Sequence, residues 1–201
     1  MIQKQLAILG ERNLLLAWRL REFVTHLPSL CALHSLAAFA CAVAIWGHPG
    51  FPFAVIWALL ISACNLRRYL LSREYYPDTI DAAHLTTFYR RLQITANVES
   101  VFWAAGAITL FPILFPKHPV FFAVLTAGLM ASSVIAYRSL PKPLTSYLVA
   151  AMVASAVLSF TMTEQISWPS FALALLFGGS LIRACWRQAR AYDRYLREQI
   201  E

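Results

Sequence analysis

Long apolar runs, following one another with only short polar joints, constrain this chain more than any other feature. A helix needs about 20 mostly apolar residues to cross the hydrocarbon core of a bilayer. Six stretches meet or approach that length: residues 29–47, 51–66, 95–115, 119–137, 144–162 and 169–185. The second is the shortest, and the first and second are joined by His48-Pro49-Gly50, turn chemistry that makes them an antiparallel hairpin. The fold class that follows is all-α: an integral membrane bundle of six transmembrane helices.

Composition agrees. Apolar residues make up 59% of the chain and charged residues 13%, where soluble domains have roughly 45–50% and 25%. So little charge cannot cover a water-facing surface, and lipid accounts for the excess. The net charge of +7 raises nucleic acid as a partner. That use needs a basic patch on a soluble face, whereas here the basic residues stand just outside apolar runs. No nucleic-acid partner is expected; the bilayer is.

Charge placement gives an independent reading of topology, because Lys and Arg collect in short cytoplasmic segments. With six spans and the N-terminus inside, every Lys and Arg falls in an inner segment except Lys117. An odd number of spans would spoil this split. The expectation is a bacterial inner-membrane protein with both termini cytoplasmic. Trp46, Phe51, Phe53, Trp57 and Trp168 lie near the outer boundary, where an aromatic belt belongs; Trp57 fits packing equally well.

Three units follow. Residues 1–28 form an N-terminal amphipathic helix in which Leu6, Leu9, Leu16, Leu20 and Phe23 recur at helical spacing. It lies on the inner leaflet or packs as a soluble helix on a partner. Residues 29–186 are the six-span domain. Residues 187–201 begin a cytoplasmic signalling helix with Arg187, Arg190, Arg194 and Arg197 three or four apart. Within the inner loop, residues 67–94, Tyr75-Tyr76-Pro77-Asp78 reads as a turn. Leu85, Phe88, Leu92 and Ile94 suggest a short helix feeding the third span.

Chemistry-bearing motifs are few. The sequence has no phosphate-cradling glycine loop, no HExxH and no nucleophile elbow, so no residue is assigned a catalytic role. Cys31, Cys41, Cys64 and Cys185 have no metal-ligand spacing, and neither metal nor cofactor is expected. Small residues on the fourth span (Ala127, Ala131, Ser132, Ala136) and the fifth (Ala150, Ala151, Ala154, Ser155) suit close helix approach.

The candidate sensing or ligand-binding residues are Glu99, Asn97, Trp103 and His34. An intramembrane carboxylate is costly and faces a bundle interior or a wet cavity. Glu99, one turn inside the third span beside Asn97, Ser100 and Trp103, is either a polar sensing group or the ion-pair partner of Arg90, Arg91 or Arg138. His34 in the first span relays protons, binds a ligand or hydrogen-bonds between helices. Arg183, Arg187 and Arg190 are the candidates for passing a signal out of the sixth span.

Several stretches carry a family likeness: Asn65-Leu66-Arg67-Arg68-Tyr69, Phe88-Tyr89-Arg90-Arg91, Phe102-Trp103-Ala104-Ala105-Gly106, Phe111-Pro112, Leu140-Pro141-Lys142-Pro143 and Cys185-Trp186-Arg187-Gln188. In this order the chain resembles the MASE-like N-terminal multi-span membrane sensor modules of bacterial diguanylate cyclases (GGDEF/EAL proteins) and of related sensor histidine kinases. Ala104-Ala105 stands where such modules often carry Gly after the Trp. The resemblance implies an input module that forms a homodimer and drives a cytoplasmic output, cyclic-di-GMP synthesis or a histidine kinase. A small transporter, a channel or a membrane scaffold subunit remains the alternative.

Overall fold

The computed structural model describes residues 2–75, 82–114, 116, 118–137, 139–161 and 168–198. Among these the chain is built from six helices with no strand: α1 (Ile2–Ala44), α2 (Phe51–Arg73), α3 (Ala82–Leu114), α4 (Pro119–Ala136), α5 (Pro141–Thr161) and α6 (Trp168–Glu198). Four are long and apolar enough to cross a membrane: α1 from Asn13, α2, α3 from Ala83, and α5 to Leu158. The exposed surface matches. On α2, Phe53, Ile56, Leu59, Leu60, Leu66 and Leu70 are all exposed. They span about 26 Å at 1.5 Å per residue, close to the roughly 30 Å hydrocarbon core. A chain that leaves such side chains outside its core is a membrane protein.

Local chemistry sets the helix ends. α1 stops at Ala44, where the chain turns through Gly47 at φ +78°. That left-handed conformation suits glycine, which has no Cβ to clash. The turn therefore opens three residues before the expected span end, and the Gly50 amide then bonds the His48 ring at 3.0 Å. Pro52, Pro119 and Pro141 stand in first turns, where a missing N–H costs no helical bond. Pro141 thus opens α5 three residues before the fifth apolar run, with Pro143 in the same turn.

Four elements run further than the apolar runs. α2 continues past Leu66 to Arg73, so part of the expected inner loop is helix. The short helix expected before the third span is continuous with it as α3, and the sixth span with its exit helix is continuous as α6. α1 likewise runs without a break from Ile2 through Pro28. Leu14, Leu20, Phe23 and Leu27 are buried against the chain's own helices. The apolar face expected to rest on the leaflet or on a foreign partner is covered from within. The side chains of Leu6 and Leu9, the turn at Tyr76-Pro77-Asp78, and Lys117, Arg138 and the Trp168 ring lie outside the described residues.

Packing closes a ring in the order α1, α2, α3, α5, α6 and back to α1, with α4 laid on α1. The buried apolar residues fall into two clusters. One lies towards the ends of α2 and α4 and the starts of α3 and α5, and includes Phe23, Leu27, Leu85, Leu92, Tyr137, Leu144 and Cys185. The other lies towards the α1–α2 turn and includes Ala38, Trp57, Ile61, Leu110 and Leu114. Trp57 belongs to this second core, not to an interfacial belt: it is 4% exposed, whereas Trp46 is 76% exposed and meets the Phe51 ring at a tilt.

Candidate functional site

Between the two apolar clusters lies a layer of buried and half-buried polar side chains drawn from five elements. His34 comes from α1, Asn65 and Arg68 from α2, Glu99 and Trp103 from α3, Ser133 and Tyr137 from α4 and its C-cap, and Tyr147 from α5. Glu99 and Arg68 are both fully buried, and His34 and Asn65 are 1% exposed.

The Glu99 carboxylate is the hub. Its Oε1 accepts from His34 Nδ1 at 2.8 Å and from Trp103 Nε1 at 3.2 Å. Its Oε2 accepts from the Tyr147 hydroxyl and forms an ion pair with the Arg68 guanidinium. Arg68 also donates to the Tyr137 hydroxyl and to Asn65 Oδ1 at 2.7 Å. The far ring nitrogen of His34 meets Ser133 Oγ at 3.4 Å. A neutral imidazole protonated on Nδ1 satisfies both contacts, donating to Glu99 and accepting from Ser133. One carboxylate is thus held by donors from four helices, three of them foreign to its own. Arg68 Nε and the Asn65 amide nitrogen are buried donors without a partner among the described residues.

Aromatic rings wall the layer. His34 sits edge-on to Trp103 and to Tyr147, each at 5.8 Å between centroids, and Trp103 is edge-on to Trp57 at 5.0 Å. The Trp57 indole donates to the Phe102 carbonyl at 2.6 Å and lies flush on Gly106. A Cβ at position 106 would collide with that ring. The glycine of the Phe102–Gly106 stretch is therefore required by close approach.

Of the four sensing candidates, the structure brings together Glu99, His34 and Trp103. Asn97 does not join them, because its side chain is exposed on the opposite face of α3. The partner of Glu99 is Arg68, which the sequence placed in a cytoplasmic loop, whereas Arg90 and Arg91 are exposed. Arg68, Tyr137 and Tyr147 carry no sequence signal of their own. The one available clue was that Arg68 is three residues from Asn65, hence on one helix face, and just past an apolar run.

Arg183, Arg187 and Arg190 are all exposed on α6. Two bonds hold this half of α6 to helices that also serve the polar layer. Trp186 Nε1 donates to Thr145 Oγ1 on α5 at 3.3 Å, two residues from Tyr147, and Asp193 pairs with Arg19 on α1. Arg187, Arg190, Asp193, Arg194 and Arg197 line a recess of about 520 Å³. Compared with family models, with curated proteins and with solved structures, the chain matches none.

Proposed function

We propose that this chain is a membrane-embedded sensory input module. In this reading all six helices cross a bacterial inner membrane, with both termini in the cytoplasm. A rearrangement of the buried polar layer is passed through α6 to a cytoplasmic output of the cyclase or histidine-kinase kind, in cis or in trans. A homodimer suits such outputs, which work in pairs.

The observation that carries the reading is the Glu99 hub between two apolar cores. Packed apolar clusters are stiff, whereas a layer of directional bonds has alternative pairings at its disposal. Arg68, Tyr147, His34 and Trp103 compete for two carboxylate oxygens, so a change at one bond redistributes the others across four helices. α5 and α1 bear both layer residues and the bonds to α6, which supplies a physical route outward. The buried donors left over on Asn65 and Arg68 suit a small signal that carries an acceptor atom, and the short turns between helices suit small or lipid-like signals over large ligands. A signal shifts such an equilibrium only by binding the two arrangements unequally.

A transporter or channel is the other reading, and the buried Arg68–Glu99 pair favours it, since ionisable groups inside a bundle mark ion paths. Against it, the layer is sealed on both sides by apolar clusters. The test joins a cyclase or kinase reporter to the exit helix. Glu99→Gln and Arg68→Gln are expected to change its basal output at least severalfold, while the lipid-facing Leu176→Ala does not. Unchanged output from folded, inserted Glu99 and Arg68 variants sinks the sensor reading, and ion or solute flux in liposomes would establish transport instead.

A further inference from the structure

We infer that the face of α6 formed by Arg183, Arg187 and Arg190 binds the phosphate headgroups of anionic phospholipids. The inference rests on α6 crossing the bilayer, which belongs to the reading above, and is independent of any sensing role.

Spacings of four and three residues put these three arginines on one face of α6, and all are exposed. The exposed apolar side chains Leu175, Leu176 and Phe177 end about two turns earlier. The apolar run itself continues through Leu181 and Ile182, so Arg183 stands at the edge of the hydrocarbon core. Arg187 and Arg190 follow at about 6 and 10 Å along the axis, and the headgroup layer is about 5–8 Å deep on each side. Direction closes the gap. Helical side chains lean towards their helix N-terminus, and α6 leaves the membrane at its C-terminal end, so its arginines lean back towards the bilayer. Arg190 shows this directly, its Nε reaching back one turn to the Trp186 carbonyl at 3.4 Å. Trp186 is 38% exposed between the arginines, at the depth where indoles settle. The nearest carboxylate along this stretch, Asp193, is paired with Arg19 on α1. Guanidinium forks match phosphate oxygens in pairs. Arg194 and Arg197, about 16 and 21 Å past Arg183, lie beyond headgroup reach even though they share the same stripe.

The experiment measures retention of phosphatidylglycerol over phosphatidylcholine by the full chain in mixed micelles, read by native mass spectrometry. Wild type is expected to prefer phosphatidylglycerol, with each arginine of the trio worth roughly fivefold. Arg183→Gln/Arg187→Gln/Arg190→Gln should fall to near parity, and Arg194→Gln/Arg197→Gln should stay near wild type. Arg183→Lys/Arg187→Lys/Arg190→Lys, which keeps the charge and the fold, should lose part of the preference, and added salt should weaken it in wild type. A preference that survives in the Gln triple, or that falls equally in the Arg194/Arg197 double, overturns the inference. So does full competition by inorganic phosphate, which would make this a free-anion site, and so does no lipid preference beside capture of acidic peptides. In a Leu176→Cys variant, shielding of position 176 from a water-soluble maleimide shows that α6 is inserted, so failure of the lipid arm is then separable from failure of the topology.

Discussion

At the scale of single residues, the Arg68–Glu99 pair has the largest consequences. Two opposite charges removed from water stabilise little in sum, but one left without the other is costly, by about 3–5 kcal/mol. Glu99→Gln should therefore lower the unfolding midpoint in detergent sharply, and the double variant Arg68→Met/Glu99→Leu should recover most of the loss. A double as unstable as the single would show that the bonds to His34 and Tyr147, and not the charge, hold the layer. At Gly106 the physics is volume. Gly106→Ala forces the buried Trp57 ring aside, an overpacking worth about 1–3 kcal/mol. Trp57→Leu should relieve it in a double-mutant cycle, measured by the same thermal unfolding. Glu99 and His34 were legible as candidates because polar groups in apolar helices are expensive. Arg68 was not, because a cation beside an apolar run reads equally well as a loop cation and as a group buried by its neighbours.

At the scale of elements, the joint between α1 and the end of α2 depends on Tyr75. Its hydroxyl donates to the Ala17 carbonyl at 2.7 Å and its ring packs on Phe88 at 5.1 Å. Burial holds its proton up to about 12, against the smaller opposing pull of Arg21. The unfolded chain releases that proton near 10. Between about pH 10 and 12 the native state keeps a proton the unfolded state has lost, so stability falls as pH rises through that window. Tyr75→Phe should flatten this limb of the stability–pH curve, as followed by tryptophan fluorescence, while lowering stability near neutrality by about 1 kcal/mol for the lost bond. The tie between α1 and α6 is of another kind. Arg19 and Asp193 are 22% and 28% exposed, so their coupling in a double-mutant cycle should be below about 1 kcal/mol. A contact this weak can be broken and remade, which suits the role proposed for α6.

At the scale of the whole molecule, the proposed six-span arrangement predicts accessibility. In a cysteine-free background, His48→Cys should react with a membrane-impermeant maleimide added outside intact cells, and Arg90→Cys should react only after lysis. The reverse pattern inverts the topology, and reaction of both from one side removes a span. The sequence by itself determined the all-helical class, the lipid-facing character of the long apolar helices and the helix that continues past the sixth apolar run. Each of these follows from local composition and period, which neighbours in the chain are enough to express. Only the tertiary structure decided that residues 13–27 pack into their own bundle, that Asn97 faces away and Arg68 faces in, and that Tyr137 and Tyr147 complete the Glu99 hub. Those are properties of helix rotation and pairing. A helix rotates by about 100° per residue, so which of two adjacent polar residues is buried depends on partners that lie far away in the sequence.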